Sequence, residues 1–249
     1  MDDAQTALTF PRVARMGLSG LLISFSDVLN EPANRAALAF KVRMERESWP
    51  GVEEYATSLV SAFVRFDPFA LSFEELKSRV DLLLEQADWY AAALPEHRKL
   101  WRIPTAFEGV GAPQLCEAAE MAGRSVPDAV SDLTAAPVRA LALGYAPGQP
   151  YLGTLPDNWN LPRQTALTPT VEVGALVVAV RQLIVFGTRA PTGWRQVGMT
   201  GFKCFRPELD DPFSLRPGDE CLFVPVSAAK LAELTVSDPM GGAIMEPLA

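Results

Sequence analysis

The sequence has little that metal or nucleophilic catalysis needs, since His97 is its only histidine among 249 residues. One histidine cannot form a multi-histidine metal site, and cysteines or carboxylates at metal-ligand spacing are also missing. A serine or cysteine nucleophile would depend on His97 as its base, and no sequence feature brings the two together. We therefore predict no metal on this chain and interpret His97 as an exposed residue of an interdomain segment.

Cysteine is scarce as well, with three residues at positions 116, 204 and 221. Their number is odd, they lie far apart and they form no C-x-x-C pair, so neither a disulfide framework nor a redox motif is indicated. Free cysteine behaves as a small apolar residue and is usually buried. We predict that Cys116, Cys204 and Cys221 are reduced and mainly structural.

Positive charge is in deficit, with 22 Lys and Arg against 30 Asp and Glu and a net charge of −8. This balance argues against a nucleic-acid or anionic-membrane partner, because binding phosphate requires clustered Lys and Arg. No apolar run approaches the roughly 20 residues that span a bilayer. The acidic start MDDAQTALTF also differs from the basic start of a signal peptide. We expect a cytoplasmic protein with no nucleic-acid or membrane partner.

The first hundred residues alternate strand and helix signals. Residues 20–25 and 58–66 have the length and the apolar pattern of strands. Asn30 is placed to cap a helix with Pro32 in its first turn, and Ser72 forms a capping box with Glu75. We predict an N-terminal α/β domain, a sandwich of sheet and helices, over residues 1–100.

The remainder is rich in β-branched and aromatic runs separated by Pro and Gly. Two short helices are predicted first, one ending at Gly123 and one capped by Ser125. Strands are then indicated within 138–145, 171–186, 201–207 and 221–226, and the tail 237–249 is expected to be loosely held. Many short strands with irregular loops favour a compact β-barrel over residues 101–249.

Two loops concentrate Pro, Gly and aromatic residues beyond what packing requires. The segment 144–164 reads GYAPGQPYLGTLPDNWNLPRQ, and the segment 190–202 reads APTGWRQVGMTGF. One interpretation is that they are barrel-corner loops closing the hydrophobic core. The other is that rigid loops place aromatic rings and backbone amides around a small-molecule pocket, with Tyr151 and Trp194 each offering an apolar face and one polar group. The residues alone leave both open.

At these loops the sequence resembles a family whose members are variously named allophanate hydrolase subunit 1, the B subunit of 5-oxoprolinase, or sporulation-kinase inhibitor. Residues 144–153, GYAPGQPYLG, are similar to the family pattern G-F-x-P-G-F-P-Y-L-G. Residues 191–200 are similar to P-G-G-W-x-x-I-G-R-T, and residues 215–225 to L-x-P-G-D-x-V-x-F-x-P. The resemblance covers nearly the whole chain. It implies an α+β protein with a ferredoxin-like N-terminal sandwich followed by a cyclophilin-like β-barrel.

The resemblance implies one component of a two-component ATP-dependent amidohydrolase that acts on a small-molecule amide. Its partner would be a second barrel protein, of the type of allophanate hydrolase subunit 2 or the C subunit of 5-oxoprolinase, and ATP would be used within the complex. Two alternatives remain open. One is a carboxyltransferase component of a biotin-dependent urea-type carboxylase, and the other is a non-catalytic inhibitor of a sensor histidine kinase.

The expected substrate-binding residues follow from the same motifs and their neighbours, whereas no catalytic residue is assigned. They are Tyr145, Pro147, Gly148, Gln149, Tyr151, Arg163, Gln182, Gly193, Trp194, Met199 and Thr200.

Several positions differ from the family pattern, including Thr192 in place of a glycine, and three of them bear on the chemistry. Gln149 replaces an aromatic residue, Met199 replaces an arginine, and Leu133 stands where a histidine is often found. Losing a cation and a histidine predicts a weaker capacity to bind an anion or to move a proton. We therefore expect either a less anionic substrate or chemistry that resides on the partner.

Overall fold

The chain divides into two compact units between Pro95 and Glu96 in the computed structural model, which describes residues 9–248. Residue 100 lies inside a strand of the second unit. The solvent-exposed His97 follows the division directly. Each unit has its own hydrophobic core.

The first unit is built on a four-stranded antiparallel sheet. Its strands are β1 (Arg12–Met16), β2 (Gly20–Ser24), β3 (Val52–Thr57) and β4 (Ser61–Phe66). They are arranged in the spatial order β1-β2-β4-β3. The sequence predicted β2 and β4, which occupy the centre of the sheet, but it did not single out the edge strands β1 and β3.

Two helices begin where the capping signals placed them. Helix α1 (Glu31–Glu47) starts at Asn30, whose side chain accepts a 2.9 Å hydrogen bond from the Ala33 amide. Helix α2 (Phe73–Leu84) starts at Ser72, whose hydroxyl accepts a 3.2 Å hydrogen bond from the amide of Glu75. Each cap satisfies a backbone N–H that would otherwise lack a partner at the start of the helix.

The core of this unit lies between one face of the sheet and both helices. Alternate residues of the central strands are buried, including Leu21 and Ile23 from β2 and Val64 from β4. They pack against apolar helix residues such as Phe40 and Leu76. Apolar side chains that alternate along each strand form one face of the sheet, and this face packs against the apolar faces of the helices. The arrangement is therefore a two-layer sandwich. The predicted N-terminal sandwich is confirmed.

Residues 96–248 of the second unit contain ten strands. They are β5 (Lys99–Ala106), β6 (Val138–Leu143), β7 (Pro150–Gly153), β8 (Thr168–Val171), β9 (Ala175–Ala179), β10 (Gln182–Val185), β11 (Ala190–Thr192), β12 (Arg195–Thr200), β13 (Glu220–Pro225) and β14 (Ile244–Pro247).

Seven of these strands close into a barrel in the order β12-β9-β10-β7-β6-β13-β5, with β14 added along β5. Closure occurs where Met199 and Thr200 of β12 pair with Ala106 and Thr105 of β5. The pairing of β5 with β13 is parallel, whereas the other barrel pairs are antiparallel, so the sheet is mixed. The predicted α+β class with a C-terminal barrel is confirmed.

Side-chain alternation gives the barrel wall formed by β9, β10 and β7 two faces. Leu183 and Val185 of β10 point into the main core, together with Leu152 of β7. The intervening Ile184 belongs to a smaller cluster on the outer face, which also contains Trp194. The two-stranded sheet of β8 and β11 contributes to that outer cluster. The candidate functional site lies on this outer face, beside the smaller apolar cluster.

The tight turn between β9 and β10 uses two residues in left-handed conformation, Val180 (φ 44°) and Arg181 (φ 63°). A positive φ is unfavourable for a β-branched residue. Backbone hydrogen bonds hold the turn, from the Val180 amide to the Leu161 carbonyl and from the Arg181 amide to the Trp159 carbonyl. The Arg181 guanidinium also donates to the Leu155 carbonyl at 2.8 Å. These hydrogen bonds stabilise a left-handed backbone conformation that is otherwise unfavourable for both residues.

Three helices complete the second unit: α3 (Leu115–Met121), α4 (Val126–Thr134) and α5 (Ala228–Ser237). The predicted cap of α4 is confirmed, because Ser125 accepts a hydrogen bond from the Asp128 amide. None of the helices within residues 9–248 is long and apolar enough to cross a bilayer.

Two sequence predictions in this unit are wrong. Residues 201–207 form no strand; a single bridge joins Phe205 to Phe213, while Phe202 and Cys204 are buried in the main core. Their apolar side chains fill the barrel instead of extending its wall. The tail is not loose, since β14 pairs antiparallel with β5 along four residues. The tail is held because backbone N–H and C=O groups along the edge of β5 form hydrogen bonds with β14.

Candidate functional site

The loop that joins β6 to β7 has a constrained backbone. Tyr145 (φ 69°) and Gly148 (φ 68°) both adopt the left-handed conformation. A Cβ atom on Gly148 would lie 2.5 Å from the Cys204 carbonyl oxygen, so a glycine is required there. Hydrogen bonds from the Gly144 amide to the Gln149 carbonyl and from the Gln149 amide to the Ala146 carbonyl close the loop. This geometry leaves Tyr145 71% exposed and buries Gln149.

Hydrogen bonds with Gln164 and Thr192 stabilise the loop between β11 and β12. Gln164 donates from Nε2 to the Trp194 carbonyl at 3.0 Å, and its Oε1 accepts from Gln114 at 2.6 Å. Its backbone amide donates to the Gly193 carbonyl at 2.7 Å. Thr192 Oγ1 accepts from the Trp194 amide at 3.0 Å. The backbone at Gly193 and Trp194 is therefore held in place by the protein itself.

Between these loops lies a cavity of about 300 Å³ on the outer face of the barrel wall, here called the Tyr145–Trp194 cavity. Its lining residues are Tyr145, Gln149, Tyr151, Arg163, Gln164, Leu167, Ile184, Phe186, Pro191, Thr192, Gly193 and Trp194. Its volume is at the lower end of the range for small-molecule sites.

Aromatic rings and one cation dominate the cavity. The rings of Tyr151 and Trp194 meet edge to face with centroids 6.2 Å apart. The Arg163 guanidinium lies 5.6 Å from the centre of the Trp194 ring, within cation–π range. Across the described part of the chain, no carboxylate forms an ion pair with Arg163. A negatively charged ligand group could therefore pair with this guanidinium without displacing an internal partner.

The hydroxyl of Tyr151 is a hydrogen-bond donor at neutral pH. Burial raises the pKa of Tyr151, and the nearby charge of Arg163 opposes that rise. A phenol whose pKa lies above its ordinary value keeps its proton under physiological conditions. Arg163 and Tyr151 thus present donors on one side of the cavity.

Gln149 is the unusual member of the lining. Its side chain is 1% exposed, and no donor among residues 9–248 reaches its Oε1. Buried polar atoms in folded proteins nearly always have a hydrogen-bond partner, because leaving one without a partner costs about 1–3 kcal/mol. One residue of the cavity lining therefore has a buried acceptor that the protein itself does not satisfy.

Six of the eleven expected substrate-binding residues line this cavity: Tyr145, Gln149, Tyr151, Arg163, Gly193 and Trp194. Pro147 and Gly148 instead border a neighbouring hollow of about 300 Å³ together with Phe213. The other three lie elsewhere on the barrel.

Gln182, Met199 and Thr200 occupy strand positions outside the lining. Gln182 is buried in β10 opposite Gly153 of β7. Met199 packs against the outer apolar cluster and pairs with β5, while the Thr200 hydroxyl donates to the Gly174 carbonyl at 3.1 Å. The arginine-to-methionine difference at position 199 thus removes no cation from this cavity.

Leu133, which the resemblance aligns with an expected histidine, is 1% exposed in the main core. The leucine is a packing residue and does not line the cavity. Neither of the two differences that suggested a weaker anion site therefore affects the cavity, which keeps its cation in Arg163.

Six lining residues were not among those predicted from the sequence: Gln164, Leu167, Ile184, Phe186, Pro191 and Thr192. The period of two along β10 would have placed Ile184 and Phe186 on one face. The inward turn of the chain that brings Gln164 to Trp194 has no local sequence signal.

The site has no obvious catalytic group of its own. Within residues 9–248, no histidine, cysteine or carboxylate lines the cavity. Over the same residues, no group of three or more His, Cys, Asp and Glu side chains is arranged to hold a metal ion. The arrangement can bind and orient a small polar ligand, but it supplies neither a general base nor a nucleophile.

This chain is similar in sequence and in fold to known proteins. A family profile described as "Carboxyltransferase domain, subdomain C and D" matches residues 11–215. The B subunit of 5-oxoprolinase from Bacillus subtilis (strain 168) is 28% identical over 227 residues, covering 87% of this chain and 93% of that protein. The B subunit of 5-oxoprolinase from Escherichia coli O157:H7 is 34% identical over 133 residues, covering 53% of this chain and 61% of that protein.

Among solved structures, the protein TTHA0988 aligns with a TM-score of 0.70 and 28% identity. The alignment covers 84% of this chain but 40% of that one, so this chain spans less than half the length of TTHA0988.

Proposed function

We propose that this chain is one component of a two-component ATP-dependent amidohydrolase. The proposal starts from its family: the chain belongs to the proteins described as "Carboxyltransferase domain, subdomain C and D". The relatives named as B subunits of 5-oxoprolinase favour the 5-oxoprolinase type, and the allophanate hydrolase type is retained beside it. The partner in this proposal is a homologous barrel protein, of the type of the 5-oxoprolinase C subunit or allophanate hydrolase subunit 2. We place the complex in the cytoplasm.

The observation that carries the proposal is the composition of the Tyr145–Trp194 cavity. Its lining combines a cation free of internal carboxylates, a phenol donor, a side-chain amide and aromatic walls. Such a set fits a small ligand that has a charged end and an amide. Because no base or nucleophile lines it, we assign substrate binding to this chain and bond cleavage to the assembled complex.

Each lining group has a role in this proposal. Arg163 pairs with an anionic group of the substrate, and Tyr151 donates a hydrogen bond to an oxygen of the substrate. The faces of Trp194 and Phe186 contact its apolar body. Water adds to the amide carbonyl, the C–N bond breaks to give a carboxylate and an amine, and hydrolysis of ATP to ADP and phosphate drives the reaction.

Coexpression with a protein of the 5-oxoprolinase C-subunit type tests the proposal. We expect a stable complex that releases glutamate from 5-oxoproline, or ammonia from allophanate, only when ATP is supplied. The proposal fails if the two chains do not associate, or if the complex turns over neither substrate with ATP.

A matched pair of arginine variants tests the cavity. Arg163→Gln removes the cation of the cavity, and Arg189→Gln removes an exposed arginine that pairs with Glu172. Both arginines are exposed, and exposed charges contribute little to stability, so both variants are expected to fold and assemble. We expect Arg163→Gln to raise KM by tenfold or more and Arg189→Gln to leave it unchanged. Equal KM values in the two variants would mean that substrate binds elsewhere.

The description of the family favours one alternative, a carboxyltransferase component of a biotin-dependent urea-type carboxylase. In that case the chain would associate with a biotin carboxylase, and a carboxylated biotin would transfer its carboxyl group to a urea-like nitrogen. Copurification with a biotinylated protein, with no ATP-dependent release of glutamate, would favour this alternative.

A further inference from the structure

Gln149 has a fixed position and an unsatisfied side chain. Its backbone is tied to both Gly144 and Ala146, so the residue cannot easily move away from the cavity wall. Packing does not require a polar group there, since the adjoining wall contains Ile184 and Phe186. A buried amide without a partner is an unfavourable choice for stability alone.

We infer that Gln149 is a specificity-determining residue whose side-chain oxygen binds an N–H group of the ligand. This inference rests on the proposed function, because it takes the Tyr145–Trp194 cavity as the place where the amide substrate is held. It adds to that function a residue that distinguishes an amide bearing N–H from an N-substituted amide of the same shape.

The hydrogen-bonding groups of the cavity support an N–H donor on the ligand. Arg163 and Tyr151 are donors, and therefore they satisfy oxygens of the ligand. Of the two side-chain amide oxygens in the wall, Gln164 Oε1 already accepts from Gln114, whereas no donor among residues 9–248 reaches Oε1 of Gln149.

A second glutamine provides a matched control. Gln182 is 4% exposed, and its Nε2 has no hydrogen-bond partner among residues 9–248, yet it does not line the cavity. Gln149→Leu and Gln182→Leu therefore remove chemically equivalent buried amides, one inside the lining and one outside it. A general effect of replacing a buried amide would be the same in both variants.

The test measures binding of paired probes to the full chain by ligand-observed NMR titration. One pair is 5-oxoproline and N-methyl-5-oxoproline, and the other is N-acetylglycine and N-acetylsarcosine. Within each pair, methylation removes the N–H and keeps the carboxylate. We expect the native chain to bind the N–H member about tenfold more tightly, as expected for one net hydrogen bond. Gln149→Leu should abolish this preference, and Gln182→Leu should retain it.

Thermal unfolding provides a second readout. Because Gln149→Leu removes an unsatisfied buried oxygen, the unliganded variant is expected to melt at the same temperature as the native chain or above it. A structural amide would give the opposite result. Gln149→Met, which keeps an unbranched side chain, guards against a packing defect specific to leucine and is expected to lose the N–H preference as well.

The inference is overturned if the native chain binds both members of each pair equally, or binds none of them. It is also overturned if both Gln149 variants retain the N–H preference. These outcomes differ from failure of the proposed function. An active complex whose Gln149→Leu variant keeps full kcat/KM refutes the role of Gln149 alone. A clear N–H preference with N-acetylglycine, in a chain that forms no active complex, refutes the proposed function alone.

Discussion

The inner and outer faces of the wall formed by β9, β10 and β7 are made by neighbouring residues of the same strands, yet their chemistry differs. On the inner face, Leu152, Leu183 and Val185 are completely buried in an apolar core. On the outer face, Ile184 and Tyr151 border a cavity that also holds a cation and an unsatisfied amide.

Within a single strand, the side chains on the inner face therefore stabilise the barrel, and those on the outer face are available to line a binding cavity. The inner face satisfies the packing requirements of the barrel, and this leaves the outer face free to carry groups that packing does not need. The unsatisfied acceptor of Gln149 and the left-handed Tyr145 occur on the cavity side, whereas the left-handed Val180 and the unsatisfied amide of Gln182 lie outside the cavity lining. Unfavourable features of this kind are often found at functional sites, where they are retained for binding.

Truncating adjacent residues of β10 gives the largest contrast. Leu183→Ala is expected to lower the free energy of unfolding by about 4 kcal/mol, since it removes buried methyl groups and leaves a new void. Ile184→Ala borders an existing cavity, so we expect about 2 kcal/mol, mainly for the lost burial. Urea denaturation monitored by tryptophan fluorescence measures both values. Equal losses would show that the outer face is packed as tightly as the inner one.

A buried thiol on the inner side predicts alkaline sensitivity. Burial raises the pKa of Cys204 from 9.0 to about 12. Above pH 9 the unfolded chain releases this proton while the folded chain keeps it, so stability falls with rising pH until the folded thiol itself titrates near pH 12. The expected loss is roughly 1 kcal/mol per pH unit in that window.

The comparison that isolates this effect is denaturation at about pH 8, 9, 10 and 11 for the native chain and for Cys204→Ala. The variant starts less stable but should show a shallower decline, because its other titrating groups are unchanged. Parallel declines in the two proteins would mean that the thiol does not contribute.

Asparagine adopts the left-handed conformation more readily than valine does, and this makes the turn between β9 and β10 a site for stabilisation. Val180→Asn is expected to raise stability by about 1 kcal/mol, which corresponds to roughly 2–4 °C in the melting temperature. Probe binding should not change, because Val180 lies outside the cavity lining. A lower melting temperature would indicate that the apolar contacts of Val180 outweigh its backbone strain.

Tyr145 has the same unfavourable backbone conformation but lies on the cavity side. Tyr145→Asn should stabilise the free chain by about 0.5 kcal/mol and at the same time weaken binding of 5-oxoproline. Differential scanning calorimetry and NMR titration measure the two effects. Stabilisation without loss of binding would show that the exposed ring does not contact the ligand.

Much of the fold could be predicted from local sequence patterns. The caps at Asn30, Ser72 and Ser125 are side-chain hydrogen bonds to nearby amides, so the residues that form them are adjacent in the sequence. The segment 201–207 was misassigned because an apolar run that fills a barrel has the same composition as one that builds its wall. Pairing of the tail with β5 depends on contacts more than a hundred residues apart in the chain.

The candidate site was predictable to the extent that it lies in unusual loops. Proline and glycine around Tyr145 and Trp194 marked both loops, and the resemblance to a family pointed to the same positions. Gln164 and Ile184 could not be found in this way, because a glutamine and an isoleucine have no distinctive neighbours. Their place in the cavity depends on how β10 and the loop before β8 meet in space.

Strand β5 also has a consequence for the order in which the protein can form during synthesis. It is made early, at residues 99–106, yet its neighbours in the barrel are β12, β13 and β14, which extend to residue 247. The first unit can complete its sheet once Phe66 has emerged, whereas β5 must wait for nearly the whole chain. Late closure of distant pairs slows folding and leaves strand edges exposed. During synthesis, the unfinished barrel is therefore the part of this protein that most needs protection from aggregation.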